Sequence, residues 1–189
     1  MRRRLMLRSS AGVSPVLPAE YQQVEWIGYS NSNNFLALPI NWSGQKIIKA
    51  SISKLSTVSR ASVFPSAFNP STRVLVSNPW GSIEASASQS TTISPVVTAY
   101  DTFDFTVFTI SLKAVGSNNQ KLLLGFGYGM NMFCPILRFK ELEIYSQSED
   151  LLFKAVMCYR KSDGKIGIYD TVSNEFYESS GTWEKGANV

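Results

Sequence analysis

A chain of 189 residues, 44% hydrophobic and 17% charged, is a globular domain or a domain with an arm, and not a disordered protein. Its formal charge of +4 is localised: Arg2, Arg3, Arg4 and Arg8 are four of the 18 basic residues, which leaves 14 basic against 14 acidic from Pro15 onward. The basic character belongs to the arm, and it does not argue for a nucleic-acid-binding body, which would need a basic patch with aromatics interleaved.

Histidine is absent. That removes His-based triads, His-ligated zinc and His general bases together. No run approaches the ~20 apolar residues of a membrane span. Leu5-Met6-Leu7 is too short for the secretory apolar region of about 7–15 residues, so the expectation is a chain made in a cytoplasm without an export signal of its own. Cys134 and Cys158 both sit among apolar residues, and two cysteines make no framework. Buried thiols are the expectation.

Residues 1–16 read as a basic N-terminal arm, and 17–189 as one domain. From Val24 the chain alternates between short strand patterns and polar turns. The predicted strands are Val24–Tyr29, Phe35–Ile40, Lys46–Ser53, Ser62–Phe64, Thr72–Ser77, Ser82–Ala87, Thr91–Ala99, Phe103–Lys113, Gln120–Gly127, Ile136–Ser146, Leu151–Tyr159, Lys165–Asp170 and Asn174–Tyr177. Phe103–Lys113 carries apolar residues on both faces and reads as a central strand. Ile136–Tyr145 reads similarly, with Phe139, Glu141, Glu143 and Tyr145 on one face. The gaps carry Asn-Pro, Gly-Ser-Asn-Asn and Ser-Gln-Ser-Glu-Asp, all turn chemistry. No stretch of ten or more residues has a helical period. Turns every 8–12 residues predict an all-β sandwich, with Ig-like, jelly-roll and barrel topologies all open.

The most regular stretch is Met157 to Thr182. Ser162-Asp163-Gly164 and Ser173-Asn174 are turn signals, with Gly164 expected at positive φ. Three short strands around two tight turns predict an antiparallel meander, with Ile166 and Ile168 facing inward.

The pattern CYRKSDG-x-IG-x-YD-x-V-x-N-x-FY-x-x-SGT over Cys158–Thr182 resembles the C-terminal signature of lectin-like modules of the concanavalin A-like, LamG-like jelly-roll class. Leu17-Pro18-Ala19-Glu20-Tyr21-Gln22-Gln23-Val24-Glu25-Trp26-Ile27 resembles the opening of the same modules. The two ends together cover roughly a third of the chain. Tyr29 to Leu36, YSNSNNFL, departs from the Ser-Thr-Gly-x-Gln-Tyr-Ile-type strand usual there. Such modules occur in phage virion proteins, in prophages and on the surfaces of gut bacteria. The resemblance implies a two-sheet antiparallel β-sandwich of the jelly-roll type with an extended N-terminal arm. Taken with the absent histidines, the absent export signal, the short basic arm and the neutral body, the resemblance leads to the expectation of a non-enzymatic bacteriophage structural protein of capsid or tail fibre, with other virion proteins as partners in an oligomeric assembly. Arg2, Arg3, Arg4, Leu5, Met6, Leu7 and Arg8 are then the partner-binding segment. A host-surface glycan is a second expected ligand. A carbohydrate-binding module of a bacterial surface protein and a jelly-roll glycoside hydrolase are the alternatives.

Glu141-Leu142-Glu143 is the sharpest enzymatic pattern. Jelly-roll glycosidases resembling laminarinases place carboxylates along one strand as Glu-x-Asp-x-(x)-Glu, so that two-residue periodicity aims them at one sugar. Here the third acid is replaced by Tyr145 and Ser146, and the expectation is a solvated face paired with a Lys or Arg on the next strand. Gly125-Phe126-Gly127-Tyr128-Gly129-Met130 lacks the Lys-Ser/Thr and the helix of a phosphate loop, and reads as a strand end. Calcium would need converging oxygens. Asp101/Asp104, Asp163/Asp170 and Asn31, Asn33 and Asn34 are the sources, none with EF-hand spacing. No cofactor is expected, and calcium is not readable from these spacings. For glycan contact the aromatics in turn-like stretches are Trp42, Trp80, Tyr100 and Tyr128. Trp26 and Trp183 are expected to pack.

Overall fold

The computed structural model describes residues 17–29, 34–41, 44–54, 60–62, 74–77, 83–85, 106–114, 121–125 and 137–189. Among them are fourteen strands and no helix: β1 Tyr21–Gln23, β2 Ile27–Tyr29, β3 Phe35–Asn41, β4 Gly44–Lys54, β5 Arg60–Ser62, β6 Val74–Ser77, β7 Ile83–Ala85, β8 Thr106–Ala114, β9 Lys121–Gly125, β10 Leu137–Ser146, β11 Leu151–Arg160, β12 Ile166–Asp170, β13 Glu175–Glu178 and β14 Trp183–Lys185. All pair antiparallel, in a nine-stranded sheet, a β3–β9 pair and a β5–β6–β7 sheet. The protein is all-β, and its layers are consistent with a sandwich. The strand expected over Thr91–Ala99 lies outside the described residues, as does the arm.

β10 is the axis of the large sheet. Along one edge it pairs with β4 from Leu137↔Lys54 to Ser146↔Lys46, and β4 continues to β8. Along the other edge its two halves part company. Its C-terminal half pairs with β11 (Glu143↔Lys154, Ile144↔Phe153), while its N-terminal half pairs with β2 (Leu137↔Tyr29, Phe139↔Ile27). β11 diverges likewise and takes β1 beyond that point, from Gln23↔Cys158 to Tyr21↔Arg160. The segment Tyr21–Tyr29 thus fills the gap where the β10–β11 hairpin splays open. The C-terminal segment closes its far edge, through Lys185↔Ile27 and Trp183↔Tyr29 in β14 and an isolated Val24↔Asn188 bridge. Gly186 N donates to Trp26 O, and Val189 N to Gln23 O. Among the described residues β8 pairs with β4, and β10 has partners along both of its edges.

One core joins the layers. Ile27 and Tyr29 of β2, Ile48, Ala50 and Ile52 of β4, Phe139, Leu142 and Ile144 of β10, Phe153 and Met157 of β11, Ile168 of β12 and Trp183 of β14 are buried. They meet Leu36 and Leu38 of β3 and Leu122 and Leu124 of β9. Fully burying each such side chain contributes about 1.5–3 kcal/mol. Trp183 tilts against Tyr29 with centroids 5.4 Å apart and donates from Nε1 to Ser180 O at 3.0 Å, so its polar atom is satisfied inside the core.

Two bulges decide which side chains face inward. Along β10 and β4, Phe139↔Ile52 is followed by Glu141↔Ser51, so Lys140 is an extra residue. The side-chain phase reverses there. Phe139 joins Leu142 and Ile144 in the core, whereas unbroken alternation had placed it with Glu141 and Glu143. Along β11, Phe153 opposes Ile144 and Leu151 opposes Tyr145, which makes Leu152 extra.

The meander β11–β12–β13 has the expected pairing, with Met157↔Ile168 and Ile168↔Tyr177 at its centre. Gly164 has φ +71° in the first turn, and Asn174, at φ +59°, takes the left-handed position in the second. Ile168 is fully buried, and Ile166 packs at the core's edge. Gly167 needs to be glycine for a steric reason: a Cβ there would run into the Tyr177 carbonyl oxygen and stand 2.7 Å from Phe176 Cζ. Ile168→Ala is expected to lower stability by about 2–4 kcal/mol, as other buried large-to-small changes do. Gly167→Ala should also destabilise, by forcing β13 away from β12. Urea denaturation of both variants checks this, and a loss under about 1 kcal/mol for Ile168→Ala would place β12 outside the core.

Candidate functional site

The signature residues converge on the outer face of β1, β11, β12 and β13. Antiparallel register puts Tyr21, Cys158, Arg160, Gly167, Tyr169 and Phe176 on that face. The Tyr21 ring stacks on Phe176 at 4.8 Å and lies 5.4 Å from Tyr169. The Arg160 guanidinium sits 5.5 Å over Phe176 and forks onto Asp163, with Nε to Oδ1 at 3.1 Å and Nη2 to Oδ2 at 2.6 Å. Nη2 also reaches Glu178 at 3.2 Å. Hydrogen bonding from Arg160, and then from the Lys165 amide, holds the Asp163 carboxyl down at about 2. Cys158 is a free, fully buried thiol. Burial pushes it up to about 12, which leaves no reactive thiolate near neutral pH. This face ties β1 to the meander, and its charged groups are consumed by one another.

Asp170 faces the other way and is also occupied. It is 1% exposed. Oδ1 accepts from the amides of Lys154 and Val172, both at 3.0 Å, and Oδ2 accepts from the Ser173 amide at 3.2 Å and the Ser173 hydroxyl at 2.7 Å. These bonds organise the β12–β13 turn, an Asx-type arrangement. Asp163 and Asp170 therefore serve two separate turns and do not converge. Asn34 is buried, and its side-chain amide pairs with the Thr182 peptide: Nδ2 donates to Thr182 O, and Thr182 N donates to Oδ1. Among the described residues no three His, Cys, Asp or Glu side chains are grouped as a metal would need.

Glu141 and Glu143 lie in a trough of about 290 Å³, lined by Lys49 and Ala50 of β4, Glu141, Leu142 and Glu143 of β10, and Lys154 and Ala155 of β11. Register sets Glu143 opposite Lys49 on one side and Lys154 on the other. Lys154 Nζ is 3.0 Å from Glu143, and the Tyr145 hydroxyl donates to Glu143 at 2.5 Å. Lys49 Nζ rests 4.6 Å over the Tyr145 ring. Burial pushes the Glu143 carboxyl up, but the Tyr145 hydroxyl, the Lys154 ammonium and the Lys49 charge together hold it below the ordinary value. Tyr145 itself is pushed to about 12, first by burial and then by Glu143. A glycosidase acid needs the opposite shift, a raised pKa beside a second carboxylate. The trough holds an ionised, neutralised carboxylate. Sequence reading expected a cationic partner but could not name Lys154 and Lys49, because only register shows which lysine stands opposite.

Trp26 packs, as expected: Arg138 lies over its ring at 3.8 Å, and Gly186 faces its edge. The proposed glycan contacts Trp42, Trp80, Tyr100 and Tyr128 lie outside the described residues. So do the arm residues Arg2, Arg3, Arg4, Leu5, Met6, Leu7 and Arg8, and Asp101, Asp104, Asn31 and Asn33. Comparison with family models, with curated proteins and with solved structures finds no match to this chain.

The Glu143 pairing has a pH signature. The folded carboxyl titrates below the unfolded value of about 4.3, so its contribution is fully present above that value and lost as pH falls through the lower folded value. Glu143→Gln should flatten the acid limb of the stability curve and cost no more than about 1 kcal/mol at neutral pH, because the pair is half exposed. Urea midpoints at neutral and acid pH check this, and an unchanged acid limb would contradict the pairing.

Proposed function

We propose that this chain is a non-enzymatic, lectin-like β-sandwich of the concanavalin A-like jelly-roll type that serves as a phage virion structural protein. In this reading Arg2, Arg3, Arg4 and Arg8, with Leu5, Met6 and Leu7 between them, attach the protein to capsid or tail. The body presents a surface outward, with a host-surface glycan as its ligand.

The observation that supports the reading best is the pairing of the two signature stretches. Leu17–Ile27 and Met157–Thr182, which resemble the opening and the end of such modules, are far apart in sequence. They are joined by the β1–β11 ladder, the stacking of Tyr21 on Phe176, and the bond from Lys161 Nζ to Ala19 O at 2.8 Å. Motif residues at both ends thus meet in one structural unit, as parts of a single module should. The neutralised Glu143 favours a structural over a hydrolytic role. The concentration of excess charge in the arm favours attachment to an acidic surface, since arginine forks pair bidentately with carboxylates and keep their charge at any working pH.

Deletion of residues 2–10 is expected to leave the melting temperature of the body nearly unchanged and to abolish incorporation into phage particles, measured as copy number by quantitative mass spectrometry. Incorporation at wild-type copy number would overturn the attachment role. Glycan hydrolysis by the intact protein that is lost in Glu141→Gln or Glu143→Gln would overturn the non-enzymatic reading.

A further inference from the structure

The start of β11 carries an apolar ledge beside an acidic turn. Leu151 is 40% exposed and Leu152 37%, and Val172, at 44%, completes three of the four large hydrophobic side chains that stand exposed among the described residues. The Leu152 bulge turns both leucines toward solvent where regular alternation would bury one. Val172 follows Thr171, whose amide donates to the carbonyl of Lys154, two residues along β11 from Leu152, at 3.0 Å. Immediately before the leucines stand Glu149 and Asp150, both exposed. The hydroxyls of Ser146 and Ser148 bond Asp150 at 3.2 and 2.6 Å and fix the turn. No cation among the described residues pairs with either acid.

This Glu-Asp-Leu-Leu ledge is the chemical complement of the Arg-Arg-Arg-Leu-Met-Leu-Arg arm: two carboxylates next to an apolar shelf, against arginines flanking an apolar step. We propose that the ledge formed by Glu149, Asp150, Leu151, Leu152 and Val172 is the docking site for the N-terminal arm of a second copy of this chain.

Chain length favours a second copy over the same one. The described chain begins at Leu17, beside the far end of β11, where Tyr21 pairs with Arg160 and Lys161 bonds Ala19. The ledge is at the near end, the length of a ten-residue strand away, roughly 33 Å at 3.3 Å per residue. Leu7 is ten residues from Leu17, a reach of about 33–36 Å only when drawn out straight. To place Leu7 and Arg8 on the ledge, a molecule's own arm would have to run fully extended over its own sheet between Arg8 and Leu17, whereas a neighbour's arm carries no such demand. The inference deepens the attachment role proposed above by naming one partner of the arm as a copy of the same protein.

Sedimentation velocity on purified full-length protein tests it, with two charge-reversed variants. One carries Arg2→Glu, Arg3→Glu, Arg4→Glu and Arg8→Glu with the native ledge. The other carries Glu149→Arg and Asp150→Arg with the native arm. All changes to described residues are at exposed positions, and circular dichroism checks that each variant keeps the wild-type β spectrum. The wild type should self-associate, and added salt should weaken the association. Each variant alone should be monomeric, and an equimolar mixture should regain the oligomer, because each arm then meets a ledge of opposite charge. Leu151→Asp with Leu152→Asp should also be monomeric. A monomeric wild type, or an oligomer indifferent to the ledge changes, would overturn the proposal. Particle incorporation of the arm deletion is a separate readout, so loss of incorporation with a monomeric wild type would retain the attachment role and discard this partner.

Discussion

The structure depends on one constraint: the β10–β11 hairpin does not stay closed along its length, and the backbone groups it exposes on opening must be paired. The segment Tyr21–Tyr29 meets that need with both of its halves. β1 completes β11 and β2 completes β10. Buried backbone donors and acceptors left without partners would each cost on the order of 1–3 kcal/mol, so several rungs of ladder depend on this insertion. The C-terminal segment then covers the edge that the inserted segment would otherwise expose, from Trp183↔Tyr29 to the Val24↔Asn188 bridge. An edge so covered is no longer a template for pairing with other chains.

The same constraint explains the residue types of the signature stretches. Tyr21 is at the site of insertion, and its ring stacks on Phe176 and abuts Tyr169 on the outer face. Gly167 leaves room for Phe176 and for the Tyr177 carbonyl. Cys158 supplies a small, fully buried side chain opposite Gly167, and Arg160 ties the β11–β12 turn to β13 through Asp163 and Glu178. Asp170 holds the next turn with four hydrogen bonds, and Asn34 substitutes its side chain for a strand opposite Thr182. These residues are accounted for by folding.

Local pattern made much of this fold legible. The meander, its Gly164 and Asn174 turns and most strands follow from alternation and turn chemistry. β1 and β14 escape such reading because three residues carry no period. The reversed phase of Phe139 escapes it because a bulge is defined by the partner strand, and the partner, β4, is distant in sequence. The two-sided pattern of Ile136–Tyr145 was a legible sign of a central strand, and β10 does have partners along both edges. At the candidate sites, absence of histidine and the incomplete carboxylate row were legible, as was a cationic partner for Glu143. The two consecutive leucines after Glu149-Asp150 broke alternation, which was the available sign of the ledge.

The central claim is that the N-terminal segment is an integral strand of the main sheet, held between the splayed hairpin and the C-terminus. Native-state hydrogen exchange measures this most directly, because amides that open only with the whole domain share its free energy of unfolding. The amides of Val24 and Tyr21, which donate to Met157 O and Pro18 O, and those of the β1–β11 and β2–β10 ladders should then exchange in one group with the β11–β12 ladder. Exchange of residues 21–29 at rates far above those of β11 and β12 would contradict it, and would make the segment an appendage of a sheet that is complete without it.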